Sequence, residues 1–141
     1  MITDYWKDTG TPDDIIHANG IILENLSSYF YGKDDGTNTI EGSVMVGENS
    51  IIKNYSTLNG PIIIGKNCII DGATIGPHTS IGDNSMISNC NLQDSIIMSH
   101  CKIIGEIKIK NSIISYNASI IANPINIEKT FLLGEGTKLI L

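Results

Sequence analysis

Val46-Gly47-Glu48-Asn49-Ser50, Ile64-Gly65-Lys66-Asn67-Cys68 and Ile81-Gly82-Asp83-Asn84-Ser85 are one phrase repeated. An aliphatic is followed by Gly, a charged residue, Asn and a small residue. Gly and Asn tolerate positive φ, which tight corners need. Ser50, Cys68 and Ser85 are small, as an inward position in a narrow prism requires. Leu133-Gly134-Glu135-Gly136-Thr137 repeats the form near the end.

Outward from these phrases, aliphatic residues fall into three phased columns. Ile52, Ile70, Ile87, Ile104 and Ile121 lie 18, 17, 17 and 17 residues apart. Ile40, Leu58, Ile75, Leu92 and Ile109 lie at the same spacings, and Val46, Ile64, Ile81 and Met98 at 18, 17 and 17. An aliphatic thus returns about every sixth position, with five-residue steps such as Ile70 to Ile75 explaining the drift to 17. A hexapeptide period points to a parallel β-helix. Each six-residue unit is one short strand plus a corner, and three units make a triangular coil. Coils stack as parallel strands about 4.8 Å apart. Each inward aliphatic contributes roughly 1.5–3 kcal/mol when fully buried. One coil cannot bury its own face, so the stack is stable only as a whole.

The predicted fold is all-β: a single-stranded parallel β-helix of about five to six coils over residues 40–141, preceded by a strand–helix appendage. Residues 38–141 resemble the hexapeptide-repeat, left-handed β-helix proteins. The left hand comes from that resemblance alone, because parallel crossovers are otherwise nearly always right-handed.

Composition narrows the function. The chain has 141 residues, a formal net charge of −6 and no arginine. That balance argues against nucleic acid, which is gripped through Lys and Arg on phosphates, and against an anionic membrane surface. No apolar run reaches transmembrane length, and Met1 is not followed by a signal-peptide pattern. The cytosol is the expected compartment. Cys68, Cys90 and Cys101 lack metal-ligand spacing and read as buried free thiols.

Residues 1–27 do not share the period. Ile2 to Lys7 read as a short strand and Asp8-Thr9-Gly10 as a turn. Thr11-Pro12-Asp13-Asp14 is a helix start, with Thr11 as N-cap, Pro12 at the first helical position and acids in the first turn. Ile15, Ala18, Ile22 and Leu26 follow at helical spacing, with Ile16 and Leu23 beside them. Asn19-Gly20 weakens the helix, by about 1 kcal/mol for the glycine. His17 reads as a solvated helix residue. Residues 28–39 read as a linker, with Tyr29-Phe30-Tyr31 packing on the first coil or the helix. Past Ile121 the repeat falters at Asn123-Pro124. Phe131-Leu132-Leu133 and Leu139-Ile140-Leu141 are expected to close the stack as a strand pair or an irregular last coil.

Tyr5-Trp6-Lys7-Asp8-Thr9-Gly10, the Pro-Asp helix start, the hexapeptide repeat and the ending Leu132-Leu133-Gly134-Glu135-Gly136-Thr137 together resemble the C-terminal third of long-form glucose-1-phosphate thymidylyltransferases. The resemblance covers essentially the whole chain. It implies that residues 1–27 are the tail of a nucleotidyltransferase domain and that the β-helix is an assembly or stabilising domain. It also implies that Asp8, the Asp of Trp-x-Asp-Thr-Gly, helps hold Mg²⁺ in the parent enzyme. One carboxylate does not make a metal site, so no catalytic residue, no cofactor and no activity are expected of this chain alone. The resemblance further implies association as a homo-oligomer, a trimer favoured, with an upstream catalytic domain as the other partner.

Two rival readings stand beside this one. Many hexapeptide β-helix proteins are acyltransferases with a catalytic histidine, for which His78 and His100 are the candidates. They follow different columns and so sit on different faces of the prism. The other rival is a purely structural trimerisation module.

Overall fold

A computed structural model describes residues 11–122 and the strands Glu128–Lys129, Leu132–Leu133 and Lys138–Ile140. The strands of residues 29–140 visit three sheets in strict rotation. Sheet A holds Tyr29–Phe30, Val44–Val46, Ile62–Ile64, Thr79–Ile81, Ile96–Ile97, Ile113–Ile114 and Leu132–Leu133. Sheet B runs from Lys33–Asp34 to Lys138–Ile140, and sheet C from Thr39–Glu41 to Glu128–Lys129. All the strand pairings are parallel. The chain is therefore a β-solenoid, and the hexapeptide reading holds.

The register corrects two of the three predicted columns. Ile40, Leu58, Ile75, Leu92 and Ile109 stack as expected. In sheet B, however, Ile52, Ile70 and Ile87 are followed by Ile103 and Ile120, not Ile104 and Ile121. In sheet A the residue after Ile81 is Ile97, not Met98. The cause is one short coil. Ile87 to Leu92 and Leu92 to Ile97 are both five-residue steps, so Ile87 and Ile103 lie 16 apart. Because strand side chains alternate between faces, a one-residue slip moves a column from core to surface. Ile103 and Ile120 are 0% exposed, whereas Ile121 is 42% exposed.

The corners explain the Asn-rich phrases. Asn49, Asn67, Asn84, His100 and Asn117 form one column with φ between 58° and 63°. This is the left-handed region, which Asn tolerates better than most residues. Small inward polar side chains close the corners from within. Ser50 Oγ donates to the Gly65 carbonyl at 2.6 Å and accepts from the Cys68 N–H at 2.9 Å.

One expectation for the N-terminal part changes. Residues 28–39, read as a linker, contribute the strands Tyr29–Phe30 and Lys33–Asp34, which pair with Met45–Val46 and Ile51–Ile52. This stretch opens the solenoid. Its charged, turn-rich sequence is an outward loop: Asp35 Oδ1 accepts from Thr37 and Asn38. Tyr29 and Tyr31 stack with ring centroids 4.9 Å apart. The closing residues form parallel rungs on all three sheets, so the last-coil reading applies rather than a strand pair.

The helix α1, Pro12–Glu24, starts as predicted: the Thr11 side chain accepts from the Asp14 N–H at 3.2 Å. Ile16, Gly20 and Leu23 are buried, while Ile22 is 60% and Leu26 40% exposed. The stripe Ile15, Ala18, Ile22, Leu26 thus points away from the prism. The helix lies on the outer side of sheet A against Thr79–Ile81.

Candidate functional site

The predicted metal residue Asp8 lies outside the described residues, as does the whole Trp6–Gly10 motif. Among the described residues, no group of three or more His, Cys, Asp and Glu side chains is placed to hold a metal ion. The described side chains do not by themselves fit a Mg²⁺ site.

The polar side chains that do converge lie where α1 crosses the prism. The corner column His78, Asp94 and Asn111 turns with φ of 60°, 50° and 51°, which pushes these side chains outward toward the helix. A groove of about 530 Å³ opens there, lined by Asp13, His17 and Glu24 from the helix and by His78 and Asp94 from the prism. His78 Nε2 lies 3.0 Å from Glu24 Oε2, and its Nδ1 lies 3.5 Å from Asp94 Oδ1. Two residues on, Ser80 Oγ donates to Asn19 Oδ1 at 2.9 Å. At the helix end, Ser43 Oγ donates to the Leu26 carbonyl at 3.2 Å. These bonds tie α1 to the prism from the level of Ser80 to the level of Ser43.

The geometry bears on the acyltransferase reading. A general base needs an imidazole nitrogen facing the proton it takes. Both ring nitrogens of His78 face carboxylates, so its present contacts make it a clamp between helix and prism. A neutral imidazole donates to only one of the two carboxylates, and an imidazolium donates to both. His100 stands on a different corner, exposed, with φ 61° and its backbone N–H donating to the Asp83 carbonyl. It occupies a position that Asn fills in four other coils. The structure therefore separates His78 from His100, as the columns predicted. It brings His17 and His78 to one groove, which the sequence did not announce, because the docking of a helix onto a repeat leaves no periodic trace.

The three cysteines are free and buried in the stack. Burial raises the Cys68 and Cys101 thiols and pushes Cys90 up to about 12. Cys68 Sγ contacts the Gly82 carbonyl at 3.2 Å and Cys101 Sγ the Ser115 carbonyl at 3.0 Å. They act as small inward residues, as expected. No described helix is long and apolar enough to cross a membrane.

Comparison with known proteins agrees with the fold. A glucose-1-phosphate thymidylyltransferase of Streptomyces antibioticus is 35% identical over 120 residues, covering 85% of this chain and 33% of that protein. The low-salt glycan biosynthesis nucleotidyltransferase Agl11 of Haloferax volcanii is 30% identical over 121 residues, covering 85% of this chain and 34% of its own length. A bifunctional protein GlmU of Methanococcus aeolicus is 34% identical over 129 residues, covering 90% of this chain and 31% of its own length. The chain spans about a third of the length of these curated relatives. The family model described as the GMPPB C-terminal domain matches residues 58–139, most of the solenoid. With more than half of its length inside that match, the chain belongs to the GMPPB C-terminal domain family.

Proposed function

We propose that the chain is the C-terminal, assembly-forming and stabilising part of a sugar-1-phosphate nucleotidyltransferase. The parent enzyme would make dTDP-glucose or a related nucleotide sugar from a nucleoside triphosphate and a sugar-1-phosphate. The observation that carries this reading is the pattern of similarity. It runs over 85–90% of this chain yet over only 31–34% of the nucleotidyltransferase and GlmU relatives. The solenoid interior supports it further: it is filled by stacked aliphatics, as suits a scaffold. In the parent, Mg²⁺ chemistry would include Asp8. The isolated chain is inactive in this reading and assembles as a homotrimer through prism surfaces. Three buried free thiols suit a reducing cytosol.

The test is to incubate the chain with Mg²⁺, dTTP and glucose-1-phosphate and follow pyrophosphate. No release above background is expected. Release that disappears in Asp8→Ala overturns the inactive-scaffold reading. Sedimentation equilibrium at micromolar concentration checks the assembly: a mass near the 15.2 kDa of one chain rejects the trimer.

A further inference from the structure

At the edge of sheet A opposite His78, two further cavities open where the strands run into the next corner. One, of about 290 Å³, lies against Tyr29, Tyr31 and Glu48; the other, of about 340 Å³, lies against Ser80, Ser99 and Tyr116. Ile63, Gly65 and Asp83 line both, so the two are halves of one trench. Tyr31 follows the first strand of sheet A and Tyr116 the sixth. Five rungs of about 4.8 Å separate them, so the trench is about 24 Å long.

The floor is a by-product of stacking. A β-carbon on Gly47 would fall 2.7 Å from the Gly65 backbone, and one on Gly82 would fall 2.6 Å from the Ser99 nitrogen. The coils can therefore stack there only on glycine. The ends of the trench have no such cause. Carried two residues past the strands, the register puts Glu48, Lys66, Asp83, Ser99 and Tyr116 in one outward corner column. Tyr116, 48% exposed, is the aromatic in a column of polar residues. At the other end Tyr31 is 66% exposed and stacks on Tyr29. A lone exposed aromatic is ordinary, but here aromatics stand at both ends of one trench. Between them Asp83 Oδ1 accepts from the Lys66 N–H at 2.8 Å, which fixes the carboxylate in the stretch common to both halves. Glu48 and Asp83 outnumber Lys66, so the trench is acidic and repels a phosphorylated ligand.

We infer that this trench binds a neutral oligosaccharide. A pyranose ring has an apolar C–H face, which packs on a tyrosine ring, and hydroxyls, which donate to carboxylates. Tyr31 and Tyr116 are the platforms, and Asp83 and Glu48 accept from the hydroxyls. The distance between the platforms spans several sugar rings, so the ligand is a chain and not a single sugar. The inference does not depend on the nucleotidyltransferase reading.

The experiment titrates the 141-residue chain with maltohexaose, cellohexaose, mannohexaose and chitohexaose, with glucose and thymidine diphosphate as controls, and follows the NMR signals of the tyrosine rings. At least one hexaose should shift the Tyr31 and Tyr116 rings saturably and bind about tenfold or more tighter than glucose. Tyr116→Ser, the residue its column already carries at Ser99, should weaken that binding about tenfold or more. Tyr55→Ser, at an 80% exposed tyrosine on another corner, should leave it within about twofold. Thermal melts establish that the variants fold, and Tyr31→Ser makes the same test from the other end if Tyr116→Ser lowers the melt. No saturable shift with any hexaose overturns the inference. So does a hexaose bound no tighter than glucose, thymidine diphosphate bound tighter than every hexaose, or hexaose binding untouched by the loss of either platform in a folded protein.

Discussion

Gly20 of the helix lies over the imidazole of His78: a β-carbon built on Gly20 would fall 3.2 Å from His78 Cδ2 and 3.4 Å from its Cβ. Glycine inside a helix costs roughly 0.5–1 kcal/mol relative to alanine. Here that cost brings the helix close enough for Glu24 to reach His78 Nε2. The ring cannot readily retreat, because Asp94 holds its other side. Gly20→Ala is therefore expected to change stability by less than about 0.5 kcal/mol, propensity gained being offset by crowding. In a His78→Ala background the same change should stabilise by about 0.5–1 kcal/mol. Urea denaturation of the four proteins measures the coupling. Equal effects of Gly20→Ala in both backgrounds would mean that the contact constrains nothing.

The corrected register makes a sharper prediction, on adjacent residues. Ile120 is 0% exposed and Ile121 is 42% exposed. Ile120→Asp places a carboxylate without partners inside the stack and should cost several kcal/mol. Ile121→Asp, on the outer face, should cost about 1 kcal/mol or less. The same contrast is expected between Ile103 and its half-buried neighbour Ile104. Thermal melts decide it: if Ile121→Asp unfolds the protein and Ile120→Asp does not, the inward column runs through Ile121.

This slip shows what the sequence could and could not disclose. The solenoid was legible because three columns of aliphatics cannot share a period by accident of composition. The second column was read without error, since Leu92 and Ile109 have Asn91, Gln93, Lys108 and Lys110 as neighbours and leave no choice of phase. After Leu92 the other columns pass through adjacent aliphatics, Ile97-Met98, Ile103-Ile104 and Ile120-Ile121. Either member preserves an aliphatic in the column, so the short coil was hidden. The helix suffered the same ambiguity: Ile15-Ile16 and Ile21-Ile22-Leu23 offer two faces, and Gly20, read as a weakness, marks the buried one. The groove around His78 was invisible for a different reason. It depends on where a non-repeating helix docks, and only Glu24, Asn19 and Ser80 meeting in space reveal it.

The thiols should report the integrity of the stack. Cys68, Cys90 and Cys101 are all buried, and burial disfavours the reactive thiolate in each. At pH 8 the native protein is expected to resist a disulfide reagent, with all three thiols reacting in concentrated urea. Fast modification of Cys90, the thiol pushed to about 12, would be incompatible with its place in the interior.

Asp35 gives the acid limb of stability a specific residue. Its carboxyl is held below the ordinary 3.8 first by the Thr37 hydroxyl, then by the Thr37 and Asn54 backbone N–H groups, with Asn38 adding a smaller pull. Asp35 Oδ1 lies 2.6 Å from Thr37 Oγ1, and Oδ2 accepts from the Asn54 N–H at 3.0 Å. The Asn54 bond links the first coil's loop to the next coil's corner and exists only in the folded chain, while the Thr37 and Asn38 bonds lie within the loop that folding holds in place. A carboxyl depressed by folding stabilises the protein while the unfolded chain is also ionised, above 3.8. That contribution declines as pH falls below 3.8 toward the lower folded value, because the unfolded chain then binds the proton first. Asp35→Asn should therefore lower the melting temperature at pH 6, and the difference from the unaltered protein should shrink as pH drops to about 3. The asparagine keeps one acceptor for Thr37 but loses the charge, which makes it the appropriate replacement. A gap that stays constant from pH 6 to about 3 would show that the charge on Asp35 is not what ties the loop to the corner.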